Sequence, residues 1–288
     1  MKTAWLNTSE YPFPSNFIKV NGNNLHYIEE GQGETILFIH GTPSWSFDYR
    51  NVIKQLGHSF RCIAIDHMGF GLSDKPEHYD YSTINHSNTL KYFIETKQLT
   101  NITLVVHDFG GPIALNYAIR FPEKIKRVVI LNSWLWSSKE DPDYIKFSKI
   151  LKSPLLPFLY RYLNFSPKFL LPQSFGDKKL PKHLLSQYTQ PFANSKQRNG
   201  TLAFAKSLLS DQEWFESLWQ KRDAIKAIPA LFIWGMKDAF VKPAYLEKFA
   251  TAFDKKEMVK LESCGHFPQE EQPEIVANAI KAFMKKFN

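Results

Sequence analysis

Residues 103–111 read Thr-Leu-Val-Val-His-Asp-Phe-Gly-Gly. The run from Thr103 to Val106 is β-branched or apolar throughout, which is typical of a buried strand. Gly110 and Gly111 then open an apolar helical pattern, so the segment predicts a strand, a sharp turn and a helix. Such a turn lifts Asp108 out of the sheet toward the helix N-terminus, where backbone NH groups can hold an anion. A simpler interpretation makes Asp108 only the N-cap of that helix.

Short apolar runs alternate with helical patterns on both sides of this segment. The runs after residue 34 are apolar at every position, which indicates strands of a parallel sheet that is covered on both faces. An Asn-Gly pair at residues 21–22 predicts a hairpin near the start of the chain. The alternation therefore predicts an α/β fold. The predicted strands lie at residues 17–20, 25–28, 35–39, 62–65, 103–106, 127–131, 230–234 and 257–262.

The alternation stops at Asn132 and resumes near Ala230. Residues 134–221 are rich in Pro, Leu, Phe and Tyr and show helical stretches without a clear strand. They are predicted to form a helical cap over the carboxyl edge of the sheet, between two core segments at residues 1–133 and 222–288. The last helix is predicted to bury one stripe, made of Ile275, Ala279, Phe283 and Phe287.

Composition narrows the possible partners and the compartment. The chain has 288 residues and a net charge of +8 without a long basic run, which argues against a nucleic-acid partner. No signal peptide or membrane span is visible, so no membrane partner is expected. Two cysteines cannot build a disulfide framework, which favours the cytoplasm. The expected partner is a small apolar substrate, and the expected assembly is a monomer or a homodimer.

Three polar residues follow predicted strands at one edge of the sheet: Asp108, Asp238 and His266. That edge is where ligands bind in open α/β sheets. An ionised Asp108 needs no base to attack a carbon, since the reference pKa of Asp is about 3.9. His266 is then free to activate water against the resulting ester, while Asp238 orients the imidazole. The order of nucleophile, acid and histidine is that of an α/β-hydrolase triad.

Five segments of the chain resemble haloalkane dehalogenases and the related epoxide hydrolases. They include a His-Gly-x-Pro motif, a Gly-x-Gly-x-Ser loop and a nucleophile turn that carries Asp where esterases carry Ser. The resemblance covers residues 17–133 and 222–287. It implies an α/β-hydrolase fold, with a mostly parallel eight-stranded sheet flanked by helices and a helical cap domain. The segments lie at residues 40–50, 66–74, 106–111, 132–136 and 265–268.

The resemblance implies a hydrolase that cleaves carbon–halogen bonds. An alkyl ester would form on Asp108, and water activated by His266 with Asp238 would hydrolyse it. In this family the triad acid follows either of two strands, and the earlier position at Asn132 and Ser133 carries no carboxylate. Asp238 therefore takes that role. No cofactor is implied.

The resemblance also implies an oxyanion hole that doubles as the halide pocket. Its donors would be the backbone NH groups of Thr42 and Phe109, and losing such a donor typically costs about 3 to 4 kcal/mol of barrier. Dehalogenases usually carry Trp at the position of Phe109, where the indole NH binds the halide, and Phe109 has no such donor. The leaving halide would then be stabilised by the Thr42 hydroxyl, by Trp134 or by Trp136.

Two other reaction classes remain open. An epoxide hydrolase would use the same triad, and its leaving alkoxide would take a proton from cap tyrosines, with Tyr188 as the first candidate. The same scaffold could also serve as a small-molecule receptor or a cofactor-free oxygenase. Asp66 and His67 lack a third ligand at metal spacing, so no metal is expected. The further candidate tyrosines are Tyr144, Tyr160 and Tyr162.

Overall fold

The computed structural model describes residues 4–287. Residues 1–3 and 288, at the ends of the two predicted core segments, lie outside the described residues, as does part of the N-terminal segment in which no signal peptide is expected. The centre of the protein is one eight-stranded sheet. Its strands are β1 Asn16–Val20, β2 Asn23–Glu30, β3 Thr35–Ile39, β4 Arg61–Ile65, β5 Ile102–Asp108, β6 Ile125–Ser133, β7 Ala230–Gly235 and β8 Lys256–Leu261.

The strands are ordered β1-β2-β4-β3-β5-β6-β7-β8 across the sheet. β2 pairs antiparallel with β1 and β4, and the remaining pairs from β4 to β8 are parallel. The β1–β2 hairpin turns at Asn21 and Gly22, whose positive φ angles of 49° and 82° suit the tight turn that an Asn-Gly pair favours. The predicted α/β fold with a mostly parallel sheet is confirmed.

Helices cover both faces of the sheet and fill the segment between β6 and β7. α4 to α9 belong to that segment, where a π-helical turn at Ser166–Leu170 leads into α6. The helices are α1 Arg50–Leu56, α2 Thr83–Thr96, α3 Gly110–Arg120, α4 Pro142–Leu151, α5 Leu156–Leu163, α6 Leu171–Gln173, α7 Lys182–Thr189, α8 Asn199–Ser210, α9 Gln212–Gln220, α10 Pro243–Ala250, α11 Pro268–Glu271 and α12 Pro273–Lys286.

β5 is buried along its whole length because its alternate side chains enter two different cores. Leu104 and Val106 pack in one core with side chains of α2, α3 and α10. Val105 packs on the opposite face, in a core that includes side chains of α1 and α12. This arrangement explains why Leu104, Val105 and Val106 are apolar in succession rather than at every second position.

The helical segment between β6 and β7 lies over the carboxyl end of β5. The ring of Phe204 in α8 stacks on Phe109, which directly follows β5, at a centroid distance of 4.6 Å. The segment is joined to the core by polar contacts as well, because the Trp45 indole donates to the Gln187 carbonyl at 2.8 Å. No helix within residues 4–287 is both long enough and apolar enough to cross a membrane.

The predicted buried stripe of the last helix is confirmed in part, because Phe283 is buried and Ala279 and Phe287 pack against the core, whereas Ile275 does not. Ile275 is 47% exposed, and the residues of α12 that are buried are Val276, Ala277, Ile280, Phe283 and Met284. Both stripes fit a helical period, and Phe283 belongs to both. The position of the helix against α1 decided between them, which the sequence pattern could not do.

Candidate active site

Asp108 ends β5 in a left-handed conformation, with φ of +51°. A Cβ at Gly110 would collide with the Ile39 carbonyl oxygen, and one at Gly111 would collide with the Ser133 side chain. The predicted sharp turn is thus confirmed, and the close approach of the backbone leaves no room for a side chain at either position. The N-cap of α3 is Phe109, and no side chain caps this helix. Interpreting Asp108 as only an N-cap is therefore wrong, and the carboxylate is available for another purpose.

The structure brings together the three residues predicted from strand ends. His266 lies between two carboxylates, with Nδ1 at 2.7 Å from Asp238 Oδ2 and Nε2 at 3.4 Å from Asp108 Oδ2. The other oxygen of Asp238 accepts hydrogen bonds from the backbone NH groups of Phe240 and Val241, at 2.8 and 3.0 Å. These bonds fix the Asp238 carboxylate, which in turn can hold the imidazole in one orientation.

Backbone NH groups converge on the Asp108 carboxylate from two loops. The NH of Thr42 donates to Oδ1 at 2.8 Å, and the NH of Phe109 also bonds to this carboxylate. The loop that carries Thr42 is held by His40, whose Nδ1 donates to the Gly41 carbonyl at 2.6 Å. Both donors are therefore placed to stabilise negative charge on an oxygen bonded to the carboxyl carbon of Asp108.

The protonation states of the site follow from its charges. Burial by itself would lower the pKa of His266, but the nearby carboxylates of Asp238 and Asp108 outweigh it and raise the pKa to about 10. Burial would raise the pKa of Asp108, but the bond and charge of His266 outweigh that effect and lower it. At neutral pH the free site therefore holds an imidazolium between carboxylates.

A cavity of about 290 Å³ lies between the sheet edge and the helical segment, with Asp108 and His266 in its wall. The size suits a small molecule. Most of the lining surface is apolar, although charged side chains such as Asp141, Asp143 and Lys242 also contribute, so the site favours a mainly apolar ligand. Its apolar lining includes Phe109, Trp134, Phe147, Leu151, Leu170, Leu171 and Leu208.

Two hydrogen-bond donors near Asp108 lack protein partners. Trp134 lines the cavity with its ring 4.9 Å from that of Phe109, and no hydrogen bond of its indole NH exists within residues 4–287. The hydroxyl of Thr42, which also lines the cavity, is buried and has no hydrogen-bond partner in the described part of the chain. The indole of Trp134 is the more accessible donor for a leaving anion, because the hydroxyl oxygen of Thr42 has almost no exposed surface.

Two predicted substrate-binding residues do not reach the cavity. Tyr188 is fully buried on α7, where its hydroxyl donates to Glu270 at 2.5 Å, so its prediction as a binding residue or proton donor is wrong. Trp136 is also outside the cavity lining, because it packs against Trp219, Tyr245 and Phe249. In both cases the ring is buried against other side chains, and the sequence pattern does not indicate these contacts.

The other three candidate tyrosines are not placed to donate a proton to a leaving group at Asp108. Tyr144 and Tyr160 line the cavity. The hydroxyl of Tyr144 donates to the Leu208 carbonyl at 2.5 Å, and that of Tyr160 bonds to Ser166. Tyr162 is 65% exposed on the outer side of α5 and does not line the cavity. None of the three offers a free hydroxyl beside Asp108.

Two residues that contact the triad were not predicted to do so. Asn132 donates to Asp238 Oδ2 at 2.8 Å and exchanges hydrogen bonds with the backbone of Gly235, so it joins the ends of β6 and β7. His107 donates from Nε2 to the carbonyl of His266 at 2.6 Å, and burial lowers its pKa to about 3. An amide at the alternative acid position was the signal for Asn132, whereas no pattern identified His107.

Asp66 is committed to loop structure rather than to a ligand. Its carboxylate accepts backbone NH groups of Ser46 and Leu72, at 2.9 and 2.8 Å, and contacts His26 Nδ1 at 2.8 Å. No group of three His, Cys, Asp or Glu residues that could hold a metal ion is found in residues 4–287.

An open, mostly parallel sheet with Asp108, Asp238 and His266 at its carboxyl edge is the architecture of an α/β hydrolase. The family model described as the alpha/beta hydrolase fold matches residues 34–273. The chain belongs to this family of enzymes, as a haloalkane dehalogenase-like α/β hydrolase.

Three relatives illustrate the range of the family. Haloalkane dehalogenase 2 of Mycobacterium tuberculosis is 32% identical over 274 residues, and the match covers 94% of each chain. The cis-3-alkyl-4-alkyloxetan-2-one decarboxylase of Shewanella oneidensis is 35% identical over 285 residues, covering 95% of this chain and 89% of that one. The crystal structure of the haloalkane dehalogenase DatA from Agrobacterium tumefaciens superposes with a TM-score of 0.87 at 25% identity, covering 98% of this chain and all of that chain.

Proposed function

We propose that this protein displaces the halide of a small haloalkane with Asp108 and hydrolyses the resulting ester. The observation that carries the proposal is a carboxylate, rather than a hydroxyl, held between the Thr42 NH and His266 in the wall of an apolar cavity. A carboxylate is nucleophilic at neutral pH without a base, and the apolar cavity removes competing water.

The first step is displacement at carbon. An oxygen of Asp108 forms a bond to the carbon that carries the halogen, and the halide leaves with the bonding electron pair. The unpartnered donors of Trp134 and Thr42 would stabilise that anion in place of the indole that dehalogenases usually carry after the nucleophile.

The second step regenerates the carboxylate. Esterification removes the charge of Asp108, which is one of the two carboxylates that raise the pKa of His266, so the imidazole can lose its proton and become a base. Water then adds to the ester carbonyl as His266 takes its proton. The NH groups of Thr42 and Phe109 hold the oxyanion. The bond between the carbonyl carbon and the alkyl oxygen then breaks, the alcohol takes the proton from His266, and the carboxyl proton returns to the imidazole as the carboxylate re-forms.

A second candidate is the decarboxylation of an oxetan-2-one. The relative from Shewanella oneidensis and the absence of an indole at Phe109 favour it. Asp108 would attack the ring carbon bonded to the ring oxygen, and that carbon–oxygen bond would break to leave a carboxylate on the opened substrate. Loss of carbon dioxide would then form the carbon–carbon double bond and expel Asp108 as a carboxylate. This route uses neither a halide donor nor water.

Epoxide hydrolysis has less support, because Tyr188 lies outside the cavity and the hydroxyl of Tyr144 is occupied. The receptor and oxygenase alternatives are supported by no feature of the cavity. They would gain support if the protein released neither halide nor alkene and formed no diol from styrene oxide.

The decisive experiment compares two substrates with one variant. We expect His266→Gln to keep the displacement step and lose ester hydrolysis, so that a brominated alkane adds its alkyl mass to the peptide containing Asp108, as measured by mass spectrometry. Halide should be released once per enzyme molecule and then stop. Decarboxylation would instead continue in His266→Gln, with alkene formed from an oxetan-2-one. Asp108→Ala is the control and should abolish both reactions. Absence of halide release and of the adduct would rule out the dehalogenase proposal.

A matched pair of tryptophan variants tests the halide donor. Trp134→Phe removes the free indole NH from the cavity, and halide release should fall about 100-fold because one anion donor is lost. Trp136→Phe changes a ring that packs outside the cavity, so it should change halide release by less than about two-fold. Equal effects of the two substitutions would show that Trp134 does not bind the halide.

A further inference from the structure

The outer side of the helical segment exposes an unusual amount of apolar surface. Among residues 4–287, twelve large apolar side chains are exposed, and seven of them lie between residues 145 and 169. Exposed apolar side chains that are clustered in this way on a folded protein point to an interaction site. We call this surface the outer cap face, and it consists of Ile145, Ile150, Leu155, Phe158, Tyr162, Leu163 and Phe169.

Helix geometry places the central members on one side of α5. Leu155, Phe158 and Tyr162 are spaced by three and four residues, so they form one stripe, and the rings of Phe158 and Tyr162 lie 5.3 Å apart. They are 63%, 52% and 65% exposed. The opposite side of α5 packs Leu156 and Tyr160 against Leu202 and Ala205 of α8. The stripe therefore points away from the protein and has no partner within the described residues.

The chain segment that carries this stripe is rich in cationic side chains. Residues 144–176 contain five cationic side chains and no Asp or Glu. Lys149, Lys152 and Lys168 are exposed and have neither an ion pair nor a side-chain hydrogen bond within residues 4–287. The other two cations are Lys146, which pairs with Asp143 at 3.6 Å, and the exposed Arg161.

We propose that the outer cap face docks on the surface of a membrane that contains anionic lipids. Apolar side chains with interspersed lysines suit the boundary between acyl chains and anionic head groups, where each lysine contributes about 1 kcal/mol. A protein partner fits less well, because lysine is depleted in protein interfaces. Since no helix in residues 4–287 could span a bilayer, the association would be peripheral.

The same elements connect this surface to the cavity. The inner sides of α4 and of the turn before α6 line the cavity through Phe147, Leu151 and Leu170. An apolar substrate dissolved in the bilayer would thus be separated from the cavity by these elements alone. The docking proposal holds for any reaction of the site, so it can fail without affecting the proposed function.

The test is co-sedimentation of the full-length protein with lipid vesicles. We expect binding to vesicles of phosphatidylcholine with phosphatidylglycerol, and weaker binding to phosphatidylcholine alone or at high salt. Lys149→Gln with Lys152→Gln should weaken binding about 25-fold, at about five-fold for each lysine. Phe158→Gln with Tyr162→Gln removes two aromatic rings that would enter the interface and should weaken binding at least about ten-fold.

Matched controls keep the number and type of changes but move them elsewhere. Lys226→Gln with Lys255→Gln, and Phe17→Gln with Ile275→Gln, alter exposed residues outside the outer cap face. These variants should bind vesicles like the parent, and circular dichroism should show unchanged folding for all four variants. Equal binding by control and test variants would overturn the proposal, as would no binding to anionic vesicles. A dimer in light scattering that Phe158→Gln with Tyr162→Gln converts to a monomer would also overturn it, by making this face a subunit interface.

Discussion

The carboxyl edge of the sheet and the helical segment above it enclose one cavity, but different physical constraints place their side chains. At the sheet edge, strand direction and backbone hydrogen bonds fix each functional group, as when Phe240 and Val241 hold Asp238. In the helical segment, short helices are apolar toward both the cavity and the outside. Residue spacing there shows which side chains share a face, but it does not show which face meets the cavity.

The errors of the sequence interpretation follow this division. All three triad candidates and both loops that were predicted to form the oxyanion hole lie together at the sheet edge. Tyr188, in the helical segment, donates to Glu270, and Trp136, just after β6, packs under α9 and α10. Motifs at strand ends therefore predicted correctly where their side chains lie. For the aromatic residues beyond the strand ends, the residue type suggested a role but did not indicate the location of the ring.

The largest expected effect is on turnover, when the carboxylate that orients His266 is removed from the end of β7 and placed at the end of β6. Asp238→Asn should lower turnover by about 10³- to 10⁴-fold, because the imidazole loses its orienting carboxylate. Adding Asn132→Asp should recover at least about ten-fold of this loss, since the side chain of Asn132 lies 2.8 Å from Asp238 Oδ2 and a carboxylate there could reach His266. Single-turnover hydrolysis of the trapped ester measures both changes. If the double variant is no faster than Asp238→Asn, the two strand ends are not interchangeable.

A smaller effect is expected on the pH dependence of the free energy of unfolding. His266 has a pKa of about 10 in the folded protein and 6.5 as an ordinary histidine, so the folded state holds its proton more tightly. The stabilisation is complete below pH 6.5, declines as the pH rises and is lost above about pH 10. Urea unfolding at pH 6, 8 and 10 should show the difference in unfolding free energy between the parent and His266→Gln decreasing by at least about 2 kcal/mol. A difference independent of pH would contradict the charged pair.

The smallest effect tests the helical side of the comparison. Tyr188→Phe should reduce the free energy of unfolding by about 1 to 2 kcal/mol, because it removes a hydrogen bond to the buried Glu270 carboxylate. Turnover should stay within about two-fold of the parent, since Tyr188 is not in the cavity wall. Tyr162→Phe, at an exposed site, serves as the control and should change neither quantity. A selective loss of turnover in Tyr188→Phe would instead restore a role in the reaction.

Much of the site was predictable because the backbone imposes it. A positive φ at Asp108 and the close approach of Gly110 to β3 are properties of a strand–turn–helix junction, and its residue pattern is local. Asn132 and His107 were missed because their partners, Asp238 and the His266 carbonyl, are distant in sequence. No local pattern indicates which amide or ring will meet a group about a hundred or more residues away.

The sequence by itself determined the α/β fold, the position of Asp108 at the end of β5 and the identity of its two partners, because strand ends of a parallel sheet converge on one edge. The tertiary structure alone decided which aromatic residues line the cavity, which polar groups support Asp238 and His266, and which face of α5 and α12 is buried. These choices depend on how helices pack, and helices with apolar residues on several sides fit more than one packing until the whole chain is folded.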